Sequence, residues 1–191
     1  GEYDKEHIRQ IAAQRGLMVA NKPDSQDICF VPDGDYAGFI MNSDYAQSCS
    51  KACIPGNFVN LAGEVIGRHK GYLHYTIGQR KGLGLAMGHP VFVVDIRPET
   101  NEVVIGDNSD CFSDRLVADR LNFMAVDRLT EPKHLMARIR YSHKGGECTV
   151  RMIDDDRIEC VFDEPQRAVT KGQAVVLYED GHVFGGGTII G

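Results

Sequence analysis

In residues 174–189, AVVLYEDGHVFGGGTI, two apolar runs flank the pair Asp180-Gly181. Asp-Gly tolerates the positive φ angles that a two-residue turn demands, so YEDGHV reads as an antiparallel hairpin. Upstream, HLMARIRYS (134–142), ECTVRMI (147–153) and RIECVF (157–162) are further short β segments, in a group that begins at about Leu116. An earlier group comprises NFVNL (57–61), EVIGRH (64–69), PVFVVDIR (90–97) and EVVIGD (102–107), with tight connections at LAGEV and RPETNEV. Short strands at close intervals, with no long helix between them, point to a small antiparallel barrel.

The predicted fold class is therefore mainly β: a small β-rich central domain, then a C-terminal antiparallel β-barrel, divided near Asn108–Asp114. Before them, DKEHIRQIAAQR (4–15) places Ile8, Ile11 and Ala12 at helical spacing, with Gly16 as a C-cap candidate. This helix has little of its own to pack against and looks like the tail of a missing α/β domain. LMVAN (17–21) reads as a short strand, and PDGDYAGFIMN (32–42) as a turn followed by a short helix. The expected segments are 1–30, a tail with a cysteine loop; 31–110, the central domain; and 111–191, the barrel.

The chain has 191 residues, 42% hydrophobic and 25% charged, as is ordinary for a soluble globular protein. No apolar run approaches the ~20 residues that span a bilayer, so no membrane partner is expected. The start, GEYDKEHIRQ, is too polar for a signal peptide, and its lack of methionine fits a piece of a longer chain. Six cysteines without a CxxC pair favour a reducing cytoplasm over a disulfide scaffold. Cys49 and Cys53 form a CxxxC with no second ligand pair at suitable spacing, so no metal site is expected.

Net charge is −6, which argues weakly against a nucleic-acid partner, but the distribution argues back. Val65–Val94 contains no acid yet holds Arg68, Lys70, Arg80 and Lys81; Pro132–Gly146 contains none and holds Lys133, Arg138, Arg140 and Lys144. An acidic protein can still offer phosphates a basic surface, although two ordinary solvated faces would look the same.

GYLHYTIGQRKGLGL (71–85) does not match the P-loop GxxxxGK[ST], nor is it a dinucleotide fingerprint, since Met87 stands where GxGxxG needs its last glycine. It is a basic loop whose backbone could approach phosphates, or simply a glycine-rich turn. In ARIRY (137–141), alternation puts Arg138 and Arg140 on one exposed face and turns Tyr141 inward, unless the strand ends or bulges there. In KPDSQDICF (22–30), Cys29 follows turn-favouring polar residues that keep the segment near solvent. An accessible thiol can act as nucleophile or sulfur carrier; a small buried hydrophobe is the alternative. Asp24 and Asp27 would raise its pKa unless a positive group compensates.

GLMVANKPDSQDICFVPDGDY (16–36), PGNFVNLAGEVIGRHKGYLHYTIGQRKGLG (55–84), RIRY (138–141) and PQRAVTKGQAVVLYEDGHVFGGGTI (165–189) resemble, in order, the later part of the bacterial tRNA-specific 2-thiouridylases. The resemblance implies part of an ATP-dependent sulfurtransferase that makes 2-thiouridine at the wobble position of tRNA. It implies Cys29 as the persulfide-bearing catalytic cysteine, and Arg140, Tyr141 and Gln173 at tRNA. Arg80 and Lys81 follow from it more weakly. A persulfide-relay sulfur donor protein is the implied second partner. ATP and Mg²⁺ would serve an ATP-pyrophosphatase domain with an SGGxDS-type loop, which this sequence does not contain. This chain is expected to bind no cofactor itself and to be inactive without that domain. The second catalytic cysteine of the family, which releases sulfur through a transient disulfide, matches none of the other five here. The competing readings are a non-catalytic tRNA-binding β module with a structural cysteine, and a β-rich interaction domain with no RNA partner.

Overall fold

The computed structural model describes residues 3–22, 31, 35–44 and 49–191, which fall into two compact units, 1–47 and 48–191. In the first, α1 (Lys5–Gln14) starts where the Asp4 carboxylate accepts the backbone N–H of His7 at 2.8 Å, an N-cap bond. Arg15 closes the helix, and Gly16 follows at φ 68, the left-handed conformation glycine tolerates. None of its ten residues is buried. Residues 18–21 form turns rather than the expected strand over 17–21. They bond their backbone locally instead, through Ala20 N–H to Leu17 O and Lys22 N–H to Val19 O. The short helix α2 (Tyr36–Met41) forms as expected, capped by the Asp35 carboxylate on Gly38 N–H at 2.9 Å.

The second unit begins with α3 (Ser50–Cys53) and a four-stranded sheet built from β1 (Gly56–Val59), β2 (Val65–His69), β3 (Phe92–Arg97) and β4 (Glu102–Gly106). Their order is β2-β1-β4-β3, with β1 and β4 parallel and the other pairs antiparallel. Phe58, Val93, Val103 and Ile105 form its core with Tyr75 and Leu83 from the long β2–β3 connection. His69 lies edge-on to Phe58 and Tyr75, and its Nδ1 accepts the N–H of Gly71 at 3.0 Å. Nε2 therefore carries the proton and donates to Asn101 O at 3.2 Å. Burial holds the His69 pKa below its ordinary 6.5.

A 3₁₀ turn at Ser109–Cys111 leads into β5 (Phe112–Phe123), followed by β6 (Lys133–Arg138), β7 (Gly146–Met152), β8 (Ile158–Arg167), β9 (Ala174–Glu179) and β10 (His182–Ile189). These close into a barrel in the order β10-β5-β8-β7-β6-β9, every neighbouring pair antiparallel. Alternate residues fill the interior: Leu116 and Ala118, Leu135 and Ala137, Cys148 and Val150, Ile158, Cys160 and Phe162, Val175 and Leu177. The β9–β10 hairpin turns on Asp180 at φ 49 and Gly181 at φ 79, as the Asp-Gly pair requires. Closure needs close backbone approach: a Cβ on Gly186 would collide with Val175 O, and one on Gly187 would sit 2.6 Å from Asp119 O. No described helix is long and apolar enough to cross a membrane.

Candidate nucleic-acid interface

Strand β6 leaves the barrel after Arg138, and the chain then turns, with His143 N–H bonded to Arg140 O at 3.1 Å. Ile139 keeps its inward position, but the turn interrupts the alternation before Tyr141. Tyr141 is consequently thrown outward, at 103% relative exposure, and not into the core as alternation alone predicts. Arg138 is exposed and lies over the ring of Tyr178 on β9, 5.3 Å from its centroid. Arg140 does not share that exposure. It is half-buried and folds back, Nη1 donating to Arg167 O at 2.8 Å and to Ala168 O at 3.5 Å. Its other guanidinium nitrogens keep their donors.

Gln173 sits in the turn before β9, its backbone fixed by Thr170 O and by Ile189 N–H, its side chain exposed. Arg138, Arg140, Tyr141, Gln173, Val176 and Tyr178 line one open groove of about 340 Å³. Residues far apart in sequence are thus brought together by the pairing of β6 with β9, which sets Met136 opposite Tyr178 and Arg138 opposite Val176. Tyr178 carried no signal in the sequence beyond its place in an apolar run, since its partner is fixed by cross-strand register.

Arg80 and Lys81 do not line this groove; both are exposed at the tip of the glycine-rich loop. The loop is a built structure. Gly78 N–H bonds Val93 O at 2.7 Å, Val93 N–H bonds Gln79 O at 2.9 Å, and the Gln79 amide bridges Thr76 N–H and Lys81 O. Leu83 anchors the far side in the sheet core. Where this loop meets the barrel, Arg167 Nη2 donates to Gly78 O at 3.1 Å and the guanidinium stacks on Phe92 at 5.4 Å.

Among the lysines and arginines of the second unit, two sets stand out. Arg97, Arg115, Arg120, Arg128, Lys133, Arg151 and Arg157 each have a carboxylate within 4.0 Å. Arg68, Lys70, Arg80, Lys81, Arg138, Arg140 and Arg167 have none among the described residues. Except for Lys133, held by Glu179 at 2.7 Å, the cations described in the two acid-free stretches keep their charge uncompensated. Such charge is available to phosphate oxygens and is lost to them once a carboxylate neutralises it.

Cys29 lies outside the described residues. Of the described cysteines, Cys111, Cys148 and Cys160 are buried. Burial pushes the Cys111 thiol up, and for Cys160 a hydrogen bond with Cys148 adds to and exceeds the effect of burial. These thiols are packing residues, not nucleophiles. Cys49 and Cys53 are partly exposed, and Cys53 Sγ donates to Cys49 O at 3.5 Å within α3.

Three family models match in succession: a tRNA methyl transferase HUP domain over residues 1–33, a tRNA methyl transferase PRC-barrel domain over 45–107, and an aminomethyltransferase beta-barrel domain over 113–189. The chain is 60% identical to the tRNA-specific 2-thiouridylase of Lachnoclostridium phytofermentans over 190 residues, covering 100% of this chain and 52% of the relative. It is 52% identical to that of Carboxydothermus hydrogenoformans, covering 99% and 50%. It is 49% identical to that of Clostridioides difficile, covering 99% and 51%. The chain spans about half the length of the curated relatives it matches.

Proposed function

The chain belongs to the tRNA-specific 2-thiouridylase family, and from that premise we propose that it grips tRNA with the barrel groove and carries sulfur on Cys29. The observation that carries the first half is the convergence of Arg140, Tyr141 and Gln173, with Arg138 and Tyr178, on one groove of uncompensated positive charge. A fully exposed tyrosine offers a base a stacking face, and arginines without carboxylate partners offer phosphates their charge.

The second half rests on chemistry and on the resemblance. The C2 oxygen of uridine is a poor leaving group, so it must first be adenylated; ATP and Mg²⁺ supply that activation in the ATP-pyrophosphatase domain the resemblance implies. A donor protein loads Cys29 as a persulfide. The outer sulfur then adds to C2, and AMP leaves with the former C2 oxygen. A second cysteine thiolate attacks the inner sulfur and is left in a disulfide with Cys29, which balances the two electrons. The reaction belongs to the cytoplasm, where such a disulfide is reset by reduction.

Two measurements test this reading. Donor-loaded intact protein should gain about 32 Da, one sulfur atom, at Cys29. In the full-length enzyme, Cys29→Ser should abolish 2-thiouridine formation and leave tRNA affinity unchanged. Absence of the adduct, or substantial 2-thiouridine from the variant, overturns the carrier role.

A further inference from the structure

We propose that Arg167 holds the glycine-rich loop in fixed register with the barrel groove, so that Arg80 and Lys81 extend the groove into one RNA-binding face. This rests on the tRNA reading above and adds to it a positioning residue and a second contact site.

Arg167 ends β8, at the corner where the barrel meets the four-stranded sheet. Its side chain reaches the sheet and its backbone serves the groove. On the sheet side, Nη2 donates to Gly78 O at 3.1 Å, Nε donates to Asn108 Oδ1 at 3.3 Å, and the guanidinium lies over Phe92. On the groove side, its carbonyl accepts Arg140 Nη1 at 2.8 Å. The next residue, Ala168, is buried and sits at φ 57, a left-handed conformation a residue with a side chain adopts only when its surroundings impose it. That turn aims a second carbonyl at Arg140, while Ala168 N–H is held by Cys111 O at 2.7 Å. The corner therefore fixes the Arg140 guanidinium and the base of the loop through two adjacent residues.

The fit on the loop side is tight. A Cβ on Gly78 would stand 3.0 Å from both Ala168 Cβ and Arg167 Nη1, and Gly78 has φ 84. Arg80 follows two residues later, so the loop's cations are carried by a backbone seated directly on the corner. All the partners of the Arg167 guanidinium are neutral, and no described carboxylate lies within 4.0 Å of it. A clamp made this way holds the two sheets together without cancelling positive charge beside the groove. Arginine is required because its planar fork bonds Gly78 and Asn108 together while stacking on Phe92; lysine supplies the charge but not the fork.

The test is a set of binding curves with an unmodified tRNA transcript at fixed salt, with folding followed by thermal denaturation. Lys81→Ala is measured in the wild-type chain, in Arg167→Lys and in Gly78→Ala, which disturbs the same corner from the other sheet. In wild type, Lys81→Ala should cost about three- to tenfold in affinity, the loss of one phosphate contact. In both altered backgrounds its further cost should fall below about twofold, because a displaced loop no longer contacts the RNA. Arg167→Lys alone should lose affinity despite keeping its charge. A Lys81→Ala penalty unchanged in either background overturns the register role, as does wild-type affinity in Arg167→Lys. A wild-type chain in which Lys81→Ala costs nothing overturns the second contact site. A wild-type chain that binds no tRNA overturns the reading beneath it, and this inference with it.

Discussion

Arg151 and Arg138 lie on adjacent strands of one barrel and are treated in opposite ways. Arg151, on β7, is held by Glu159 of β8 through Nε at 2.8 Å and Nη2 at 2.6 Å, and Arg115 of β5 approaches the same carboxylate at 3.5 Å. Glu159 points outward, yet these two arginines cover it to 6% exposure. Arg138, on β6, rests on an aromatic face with no carboxylate near it. The β5–β8–β7 side pairs these arginines internally, whereas at the groove end of β6–β9, past the Lys133–Glu179 pair, Arg138 and Arg140 have no described carboxylate within 4.0 Å. Net charge of −6 conceals this division, because a sum over the chain does not record which cations have carboxylate neighbours.

The largest effect that would sharpen the contrast is charge reversal. Arg138→Glu should weaken tRNA binding by about tenfold to a hundredfold, while Arg151→Glu should change it by less than about twofold. Equal losses at the two positions would erase the distinction. Next, Glu159→Ala should destabilise the barrel by about 1–3 kcal/mol, as two arginines lose a shared partner, with tRNA affinity unchanged; denaturant titration beside a binding curve reads both. Tyr141→Ala should cost about 1 kcal/mol of tRNA affinity and nothing in thermal stability, because the ring packs against nothing. Tyr141→Phe should bind like wild type, since stacking needs only the ring.

The smallest effect belongs to the other sheet and should leave the groove untouched. Burial lowers the folded pKa of His69 below 6.5, so as pH falls through 6.5 the unfolded imidazole takes up its proton first. The stability this residue contributes is complete above that pH and is lost as pH falls toward the folded value. Replacing His69 by Gln should flatten that part of the stability–pH curve in denaturation experiments, with tRNA affinity at neutral pH unaltered.

Strand identity was largely legible because alternating burial writes itself into sequence. The hairpin at Asp180-Gly181 and the inward set Leu135, Ala137 and Ile139 follow from period two alone. The start of β5 at Phe112 was hidden, since a bulge between Ser113 and Arg115 breaks the alternation before Leu116 restores it. Alternation alone turns Tyr141 inward for a related reason: it holds only while the strand lasts, and β6 ends at Arg138. At the candidate site, Arg140, Tyr141 and Gln173 came from resemblance, and their convergence with Tyr178 depends on β6–β9 register. The Arg167–Gly78 bond joins residues 89 apart in sequence, a separation that no local pattern encodes.

The last strand of the barrel, β10, lies between β5 and β9, and therefore bonds the first strand and the penultimate one. On the ribosome, five strands emerge before the one that seals them. Until β10 is released, the nascent barrel has two unpaired borders and a groove whose β9 wall lacks its support. This face can thus assemble only after β10 has emerged, and the open intermediate before that is the species that chaperones would have to shield.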